Sequence, residues 1–411
     1  MAEVVKTMKL HIYPTDVEAA QLKELAVVCC DAADFVSQYI FDNGFPLNSV
    51  PISSALYYTL RDRFGLKAQM TQSVIRMATA RYQTVKEQLY KHPYKYKGED
   101  GKWHYITRTL EWLQKPIHFK RPQADLVRNR DYSFVDGGTR ISVNTLGKRV
   151  KASYDVPDCF AEYFDGSWSF GTAKLLCVNG EWYLHIPMTK TVQGEYAVPN
   201  TKHVVGVDRG LRFLATTYDE KGKSSFVNGK AVMHKRQKFQ EVRTKLQAKG
   251  TKSAKRALKR ISGRENRYMA DVNHQVSKAL VQKYGQGTLF VLEDLTGVSF
   301  SEENLSNKSN SDRQSLHTWP FYQLEQFLTY KAGINGSLVI KVPAQYTSQR
   351  CPKCGRIHKD NRNHKLHEYI CDVCGYRSND DRIGAMNLQM VGTLYVSGDA
   401  HPRIRNTDTG D

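Results

Sequence analysis

The sequence predicts a multidomain α+β protein, and three features predict it. At 411 residues the chain is too long for one compact core and long enough for two or three domains. Helix-period and strand-period segments follow one another in blocks. Near the C-terminus, two CxxC pairs have the spacing of a small metal-held module.

The opening segment VVKTMKLHIYP alternates as a strand does and is closed by Pro14. Residues 15–114 predict a helical domain. Within it AAQLKELAVVCCDAADFVSQYI and AQMTQSVIRMATARYQTVKEQLY repeat apolar residues at three and four, and the second runs into the lysine- and tyrosine-rich KHPYKYKGEDGKW. Residues 115–200 change to short β runs divided by turn residues, RISVNTLGKRVKASY and WSFGTAKLLCVNGEWYLHIPMTK. They predict a β-barrel to which the opening strand, residues 1–14, also belongs, so that the helical domain interrupts the barrel.

In the C-terminal half, VVGVDRG, LRFLATTYD and SSFVNG read as a three-stranded meander with a turn at Lys221, Gly222 and Lys223. A basic helical stretch over residues 231–284 follows. Next come the buried strand TLFVLED, the helix FYQLEQFLTYKAG and the strand SLVIKVPA. After the cysteines, NDDRIGAMNLQMV opens on cap-type residues and continues as a helix. Meander, helix, strand, helix, strand and helix is the element order of an RNase H-like fold. It occupies residues 201–345 and 379–395, with residues 346–378 inserted and residues 396–411 left as a polar, flexible tail.

In that topology the acids of the first and fourth strands and of the last helix converge. Asp208 ends the first strand, Glu293 ends TLFVLED, and Asp381 lies in the first turn of the final helix. Such a cluster is electrostatically unfavourable without cations and implies one or two Mg²⁺ ions. Paired metals activate a water and stabilise the leaving oxygen of a phosphodiester. Taken singly each acid is ordinary, since strand-end Asp forms turns and acids complement a helix N-terminus; the case rests on the three together. Asp380 stands beside Asp381 and Asp294 beside Glu293. Alternation puts Glu293 on the face shared with Leu289 and Val291, and periodicity alone leaves both choices open.

The cysteine signal is the strongest. CPKCG (Cys351, Cys354) and CDVCG (Cys371, Cys374) are two knuckles, each closed by glycine, that supply four thiolates for a closed tetrahedral site of one structural Zn²⁺. His358, His364 and His367 lie in the intervening loop, but a full set of four cysteines leaves them no vacancy. Cys29, Cys30, Cys159 and Cys177 read as buried core thiols.

Lys plus Arg number 60 against 41 Asp plus Glu, a net charge of +19 that favours a polyanionic partner, nucleic acid before anionic membrane. No apolar run approaches the roughly 20 residues that span a bilayer, and the start lacks a secretory signal, so a cytosolic protein with no membrane partner is expected. Charge concentrates from Lys230 to Arg267, where only Glu241 and Glu265 oppose it. Like charges this dense repel unless a phosphate backbone neutralises them. The Tyr and Lys mixture from Tyr90 to Tyr96 is a weaker hint of contact with an unpaired strand or RNA.

Together VVGVDRGLRFLAT, LFVLEDLTGV, YTSQRCPKCG, CDVCG and NDDRIGAMNL resemble, in order and spacing, the TnpB family of transposon-encoded proteins and the miniature type V CRISPR effectors related to it. The resemblance is strong over residues 203–391 and mainly architectural before that. It implies a wedge barrel interrupted by a helical recognition domain, and a RuvC nuclease domain interrupted by a zinc ribbon. It also implies an RNA-guided DNA endonuclease with a guide RNA and target double-stranded DNA as partners, no small-molecule substrate, and a place in the prokaryotic cytosol. By motif the RuvC acids fall on Asp208 in GVDRG, Glu293 in LEDL and Asp381 in NDDRIGAMNL, which settles both adjacent-acid choices. One position departs: TnpB proteins commonly carry Asn two residues after the last acid, and here Ile383 stands there. A guided binder that does not cleave is disfavoured by the intact acids. A DNA strand transferase, which RNase H-like folds also serve, is disfavoured by the inserted ribbon and the upstream barrel.

Overall fold

The computed structural model describes residues 2–156, 161, 163–192, 196–295, 321–363 and 366–405. Two compact units emerge, Val5–Lys190 and Met1–Val4 with Thr191–Asp411.

β1 (Ala2–Tyr13) enters the first unit at Val5, and there Met8, Leu10 and Ile12 are buried while Thr7, Lys9 and Tyr13 face outward, as period two requires. Thr15 then starts α1 (Asp16–Asp42) with a capping box: its hydroxyl accepts from Glu18 N, and the Glu18 carboxylate accepts from Thr15 N at 2.8 Å. Leu22, Leu25, Ala26, Cys29, Ala33, Val36 and Ile40 form its buried stripe. Asn48 caps α2 (Ser49–Phe64), Gly65 ends it at φ 63°, and α3 (Ala68–Lys91) buries Met70, Val74, Ile75, Ala78 and Tyr82. A short hairpin, β2 (Tyr94–Lys97) with β3 (Trp103–Ile106), follows where no secondary structure was expected.

The remaining strands of this unit are β4 (Gln123–Leu126), β5 (Tyr132–Val135), β6 (Arg140–Val143), β7 (Val150–Asp155), β8 (Ser169–Phe170), β9 (Ala173–Val178) and β10 (Glu181–Val192). They join β1 in one eight-stranded sheet of order β4-β9-β10-β1-β7-β6-β5, with β8 pairing β10 off that path. The terminal strands β4 and β5 are joined directly by residues 127–131, a link that reaches about 20 Å at most. Flat, the same edges would stand about 29 Å apart. The sheet therefore curls until it nearly closes, with β1 central although the helices separate it from its partners in sequence.

Cys29 and Cys30 are buried as expected. Cys177 is exposed, contrary to expectation, because it lies at the hairpin end of β9 beside the Asn179–Gly180 turn, where the strand outruns the core. Cys159 and His364 lie outside the described residues. No helix among the described residues is long and apolar enough to cross a membrane.

The second unit is built on β11 (His203–Asp208), β12 (Phe213–Tyr218), β13 (Ser224–Asn228), β14 (Thr288–Asp294) and β15 (Leu338–Pro343), in the order β13-β12-β11-β14-β15. The meander is antiparallel, its second turn held by Gly222 N donating to Asp219 O at 3.0 Å. β14 and β15 run parallel to β11. The basic stretch is three helices rather than one. α4 (Lys230–Lys249) stops at Gly250, α5 (Lys252–Ile261) is capped by Thr251, and Gly263 precedes α6 (Arg264–Tyr284). Gly250 and Gly263 sit at φ 61° and 76°, a conformation that ends helices and favours glycine.

Hydrophobic faces above and below this sheet form two cores. Val205, Val207, Phe290 and Leu292 pack with α6 and with α7 (Phe321–Ile334), through Val276, Leu280, Leu324 and Leu328. Val204, Leu289 and Val291 pack with Leu388 and Val391 of α8 (Asp380–Val396). β14 is consequently buried on both faces, as its continuous apolar run predicts. The described part of the tail is not wholly loose: Pro402 is buried, and Ile404 is buried in the second core.

α8 sits on the sheet at unusually close range. A Cβ at Gly206 would lie 2.0 Å from Ala385 O and 2.5 Å from Gln389 N, and one at Gly392 would lie 2.5 Å from Val291 Cγ2. Gly206→Ala is expected to lift α8 from β11 and cost about 2–4 kcal/mol, the scale of severe overpacking. Chemical unfolding with a tryptophan or circular-dichroism readout measures it, with Gly333→Ala, whose Cβ would meet Val4 at an ordinary 3.5 Å, as the mild control.

Candidate active site

Strand register and side-chain parity bring the three expected acids together. Val207 pairs Leu292 across the parallel β11 and β14, so Asp208 and Glu293 end neighbouring strands at the same level. Asp208 shares parity with Val204 and Gly206, and Glu293 with Leu289 and Val291; both therefore point to the face that α8 covers. There the N-cap Asn379 accepts from Arg382 N at 3.1 Å and places Asp380 and Asp381 in the first turn. Gly384, one turn on, clears the space: a Cβ there would lie 3.1 Å from Asp208 Cγ.

The neighbouring acids are engaged elsewhere. Asp380 is fully buried; its carboxylate accepts from Arg362 Nε at 3.0 Å and from Asp381 N at 3.0 Å, with His367 Nδ1 at 3.7 Å. Asp294 pairs with Lys341 at 3.5 Å. Asp381 reaches Arg362 Nη2 at 3.6 Å, and Glu293 accepts from the Thr347 hydroxyl.

Burial raises all three carboxyl groups above their ordinary range. For Asp208 burial is the largest cause, followed by repulsion from Glu293 and then Asp381, and the shift is large. Glu293 is raised by burial against the opposing Thr347 bond and the Arg209 and Arg362 charges. Asp381 is raised by burial and by Asp380, with Arg362, His367 and Arg212 pulling the other way. A cluster so poorly neutralised by its own protein fits a divalent cation held by carboxylate oxygens.

Three residues around the acids escaped sequence reasoning. Arg209 lies on the opposite face, where Nη2 donates to the Glu293 backbone carbonyl at 2.6 Å and Nη1 pairs with the buried Glu325 at 3.2 Å, stapling two strand ends to α7. Thr347 and Arg362 come from the insertion. Only Arg209 carried a signal, its place beside Asp208; the other two arrive by tertiary folding.

The insertion itself is a small sheet of β16 (Arg362–Asn363), β17 (Glu368–Ile370) and β18 (Arg377–Asn379) with two like-bonded knuckles. Gly355 N donates to Cys351 O and Gly375 N to Cys371 O, each at 3.0 Å, and both glycines have positive φ. The Sγ atoms of Cys351, Cys354, Cys371 and Cys374 lie within 4.8 Å of one another, with Cys351 to Cys374 at 3.6 Å and Cys354 to Cys371 at 3.5 Å. A tetrahedron of Zn–S bonds of about 2.3 Å has sulfurs about 3.8 Å apart, so the set fits zinc. Burial and neighbouring sulfurs push the Cys351 thiol up to about 12, as expected of thiols gathered without their cation. His367 faces Asp380 instead of the thiols. The root of the insertion is pinned by α8: Asn387 Nδ2 donates to Thr347 O at 2.7 Å and Arg350 O at 2.9 Å.

Two family models match, "Cas12f1-like, TNB domain" over residues 321–388 and "Probable transposase" (OrfB_IS605) over residues 185–296. A CRISPR-associated endodeoxyribonuclease Cas12f1 of Syntrophomonas palmitatica is 27% identical over 251 residues, 57% of this chain and 48% of that protein. The TnpB-like protein MJ0751 of Methanocaldococcus jannaschii is 26% identical over 261 residues, 61% of this chain and 90% of that protein. By sequence the chain is thus similar, over parts of its length, both to a TnpB-like protein and to a Cas12f1 endodeoxyribonuclease. The matched stretch spans about half the length of the Syntrophomonas relative. In fold the chain is similar to Cas12f1 from a Cas12f1–sgRNA–target DNA complex, with TM-score 0.57 at 11% identity over 94% of this chain and 99% of that one.

Because the folded Asp208 carboxyl titrates above its unfolded value, its protonated form favours the metal-free fold. That stability is present at low pH and lost as pH rises through the folded value. Asp208→Asn is therefore expected to raise the melting temperature of the metal-free protein near neutral pH, by about 2–4 °C for each kcal/mol of relieved repulsion, and to flatten its pH dependence. Thermal unfolding in chelator at several pH values measures both.

Proposed function

We propose that this chain is an RNA-guided DNA endonuclease whose nuclease centre is Asp208, Glu293 and Asp381. The observation that carries the reading is the convergence of three carboxylates, from two strand ends and a helix start, on one face beside a four-cysteine insertion. In this reading the five-stranded unit is an RNase H-like RuvC domain, residues 201–345 and 379–395, and residues 346–378 are its zinc ribbon. Residues 1–14 and 115–200 make the wedge barrel, and residues 15–114 the recognition domain.

The three carboxylates would hold one or two Mg²⁺ ions, which supply an activated water and charge stabilisation at a phosphodiester. The protein's own part is orientation. Thr347 fixes one Glu293 oxygen, Arg209 anchors the Glu293 backbone, and Arg362 holds Asp380 at 3.0 Å and reaches Asp381 at 3.6 Å. Cys351, Cys354, Cys371 and Cys374 would hold one structural Zn²⁺ that keeps the ribbon, and with it Thr347 and Arg362, in place. The basic, largely exposed faces of α4 and α5 would run along phosphates, and base pairing to a guide RNA would carry the sequence specificity.

Expression with the native flanking locus is expected to yield a discrete copurifying RNA and Mg²⁺-dependent cleavage of DNA matching it, lost by at least about a thousandfold in Asp208→Ala. Sequencing the RNA and assaying matched and unmatched DNA tests this. Joining of DNA ends without guide matching would favour a strand transferase instead.

Elemental analysis of the purified protein is expected to find about one zinc per chain, absent in Cys371→Ser, which should also lose several degrees of thermal stability.

A further inference from the structure

The β2–β3 hairpin is exposed on both faces. Its register puts Tyr94, Tyr96, His104 and Ile106 on one face, and Lys95, Lys97, Trp103 and Tyr105 on the other. On the first face the rings form a ladder: Tyr94 and Tyr96 are 6.2 Å apart at 19°, and Tyr96 and His104 are 5.4 Å apart at 26°. On the second, Lys95 Nζ stands 5.3 Å from the Tyr105 ring, while Trp103 and Tyr105 are 64% and 60% exposed.

The ribbon is nonetheless sharply specified. Gly98 N donates to Lys102 O at 2.9 Å, Gly101 N to Gly98 O at 3.0 Å, and Asp100 accepts from Lys102 N and pairs with His104, each at 3.0 Å. At its root Arg108 Nε donates to His92 O at 2.7 Å. The loop acids Glu99 and Asp100 sit at the tip, and the strands themselves carry only lysine as charge.

From this we infer that the hairpin is a docking ribbon for unpaired RNA, whose bases stack on the rings while Lys95 and Lys97 meet the phosphates. Charge and chemistry select the occupant. Exposed rings on both faces, with lysines beside Trp103 and Tyr105, suit a strand with free base faces, which a duplex does not offer. An isolated two-stranded ribbon with wet aromatic faces is marginal in water, so its partner is one that is held constantly. In the RNA-guided reading, on which this inference rests, that companion is the guide rather than DNA met transiently.

The test uses the full chain with its copurified RNA. Ultraviolet crosslinking followed by mass spectrometry should place RNA adducts on Tyr94, Tyr96, Trp103 or Tyr105. With RNA-free protein and a single-stranded oligouridylate, the double variant Tyr94→Ala/Tyr96→Ala should bind about tenfold or more weakly with the salt slope unchanged. The double variant Lys95→Gln/Lys97→Gln should instead lower the slope. Matched thermal unfolding of both variants guards against misfolding. Adducts confined to other regions or unchanged binding by the ring variant would overturn the RNA ribbon. A change in oligomeric state on ring removal would assign the surface to a protein partner and overturn it too. Absence of any copurifying RNA is a different result, since it removes the RNA-guided reading itself.

Discussion

One contact governs the C-terminal unit: the backbone of α8 lies so near β11 that Gly206 has no room for a single added carbon. A helix normally rides on a sheet at the distance its side chains set. Here glycine on the strand, and glycine again at Gly384 and Gly392 of the helix, remove that spacer at three levels. The helix start is thereby driven down to the strand ends, and Asp381 comes to rest beside Asp208. Leu388 and Val391 then fill the second core, whose burial holds the approach.

That closeness sets up an electrostatic tension that the rest of the unit answers. Three carboxylates are drawn out of water, Asp208 is raised further by Glu293 and Asp381, and the protein supplies only partial relief. Arg362 is spent chiefly on Asp380, and Arg209 sits behind the Glu293 backbone instead of in front of its side chain. The acids are thus held in register with their charge only partly answered by the protein.

Much of this was legible in the chain. Alternation in TLFVLED placed Glu293 on the face of Leu289 and Val291, and in the fold this is the α8 face. The cap residues of NDDR put Asp381 in a first turn, and the CxxC spacing foretold a four-sulfur cluster. What stayed hidden depends on tertiary structure. The breaks in the basic stretch came from Gly250 and Gly263, whose backbone angles no periodicity reveals. The near-closure of the barrel follows from which strands end up at the edges, and Thr347 and Arg362 reach the acids only because the insertion folds back upon them. Cys177 misled because composition speaks of average burial and not of where a strand outruns its core.

The insertion is stitched to the acids at both ends. Its entry, Thr347, bonds Glu293 and is itself held by Asn387, and its exit strand β18 ends on Asn379, the very residue that caps α8. It is therefore less a module hung from a loop than a hinge pin through the frame. Exchanging ribbons between relatives, or trimming this one for a smaller protein, would succeed only if both seams travelled with it, whereas the knuckle tips away from them are free to diverge.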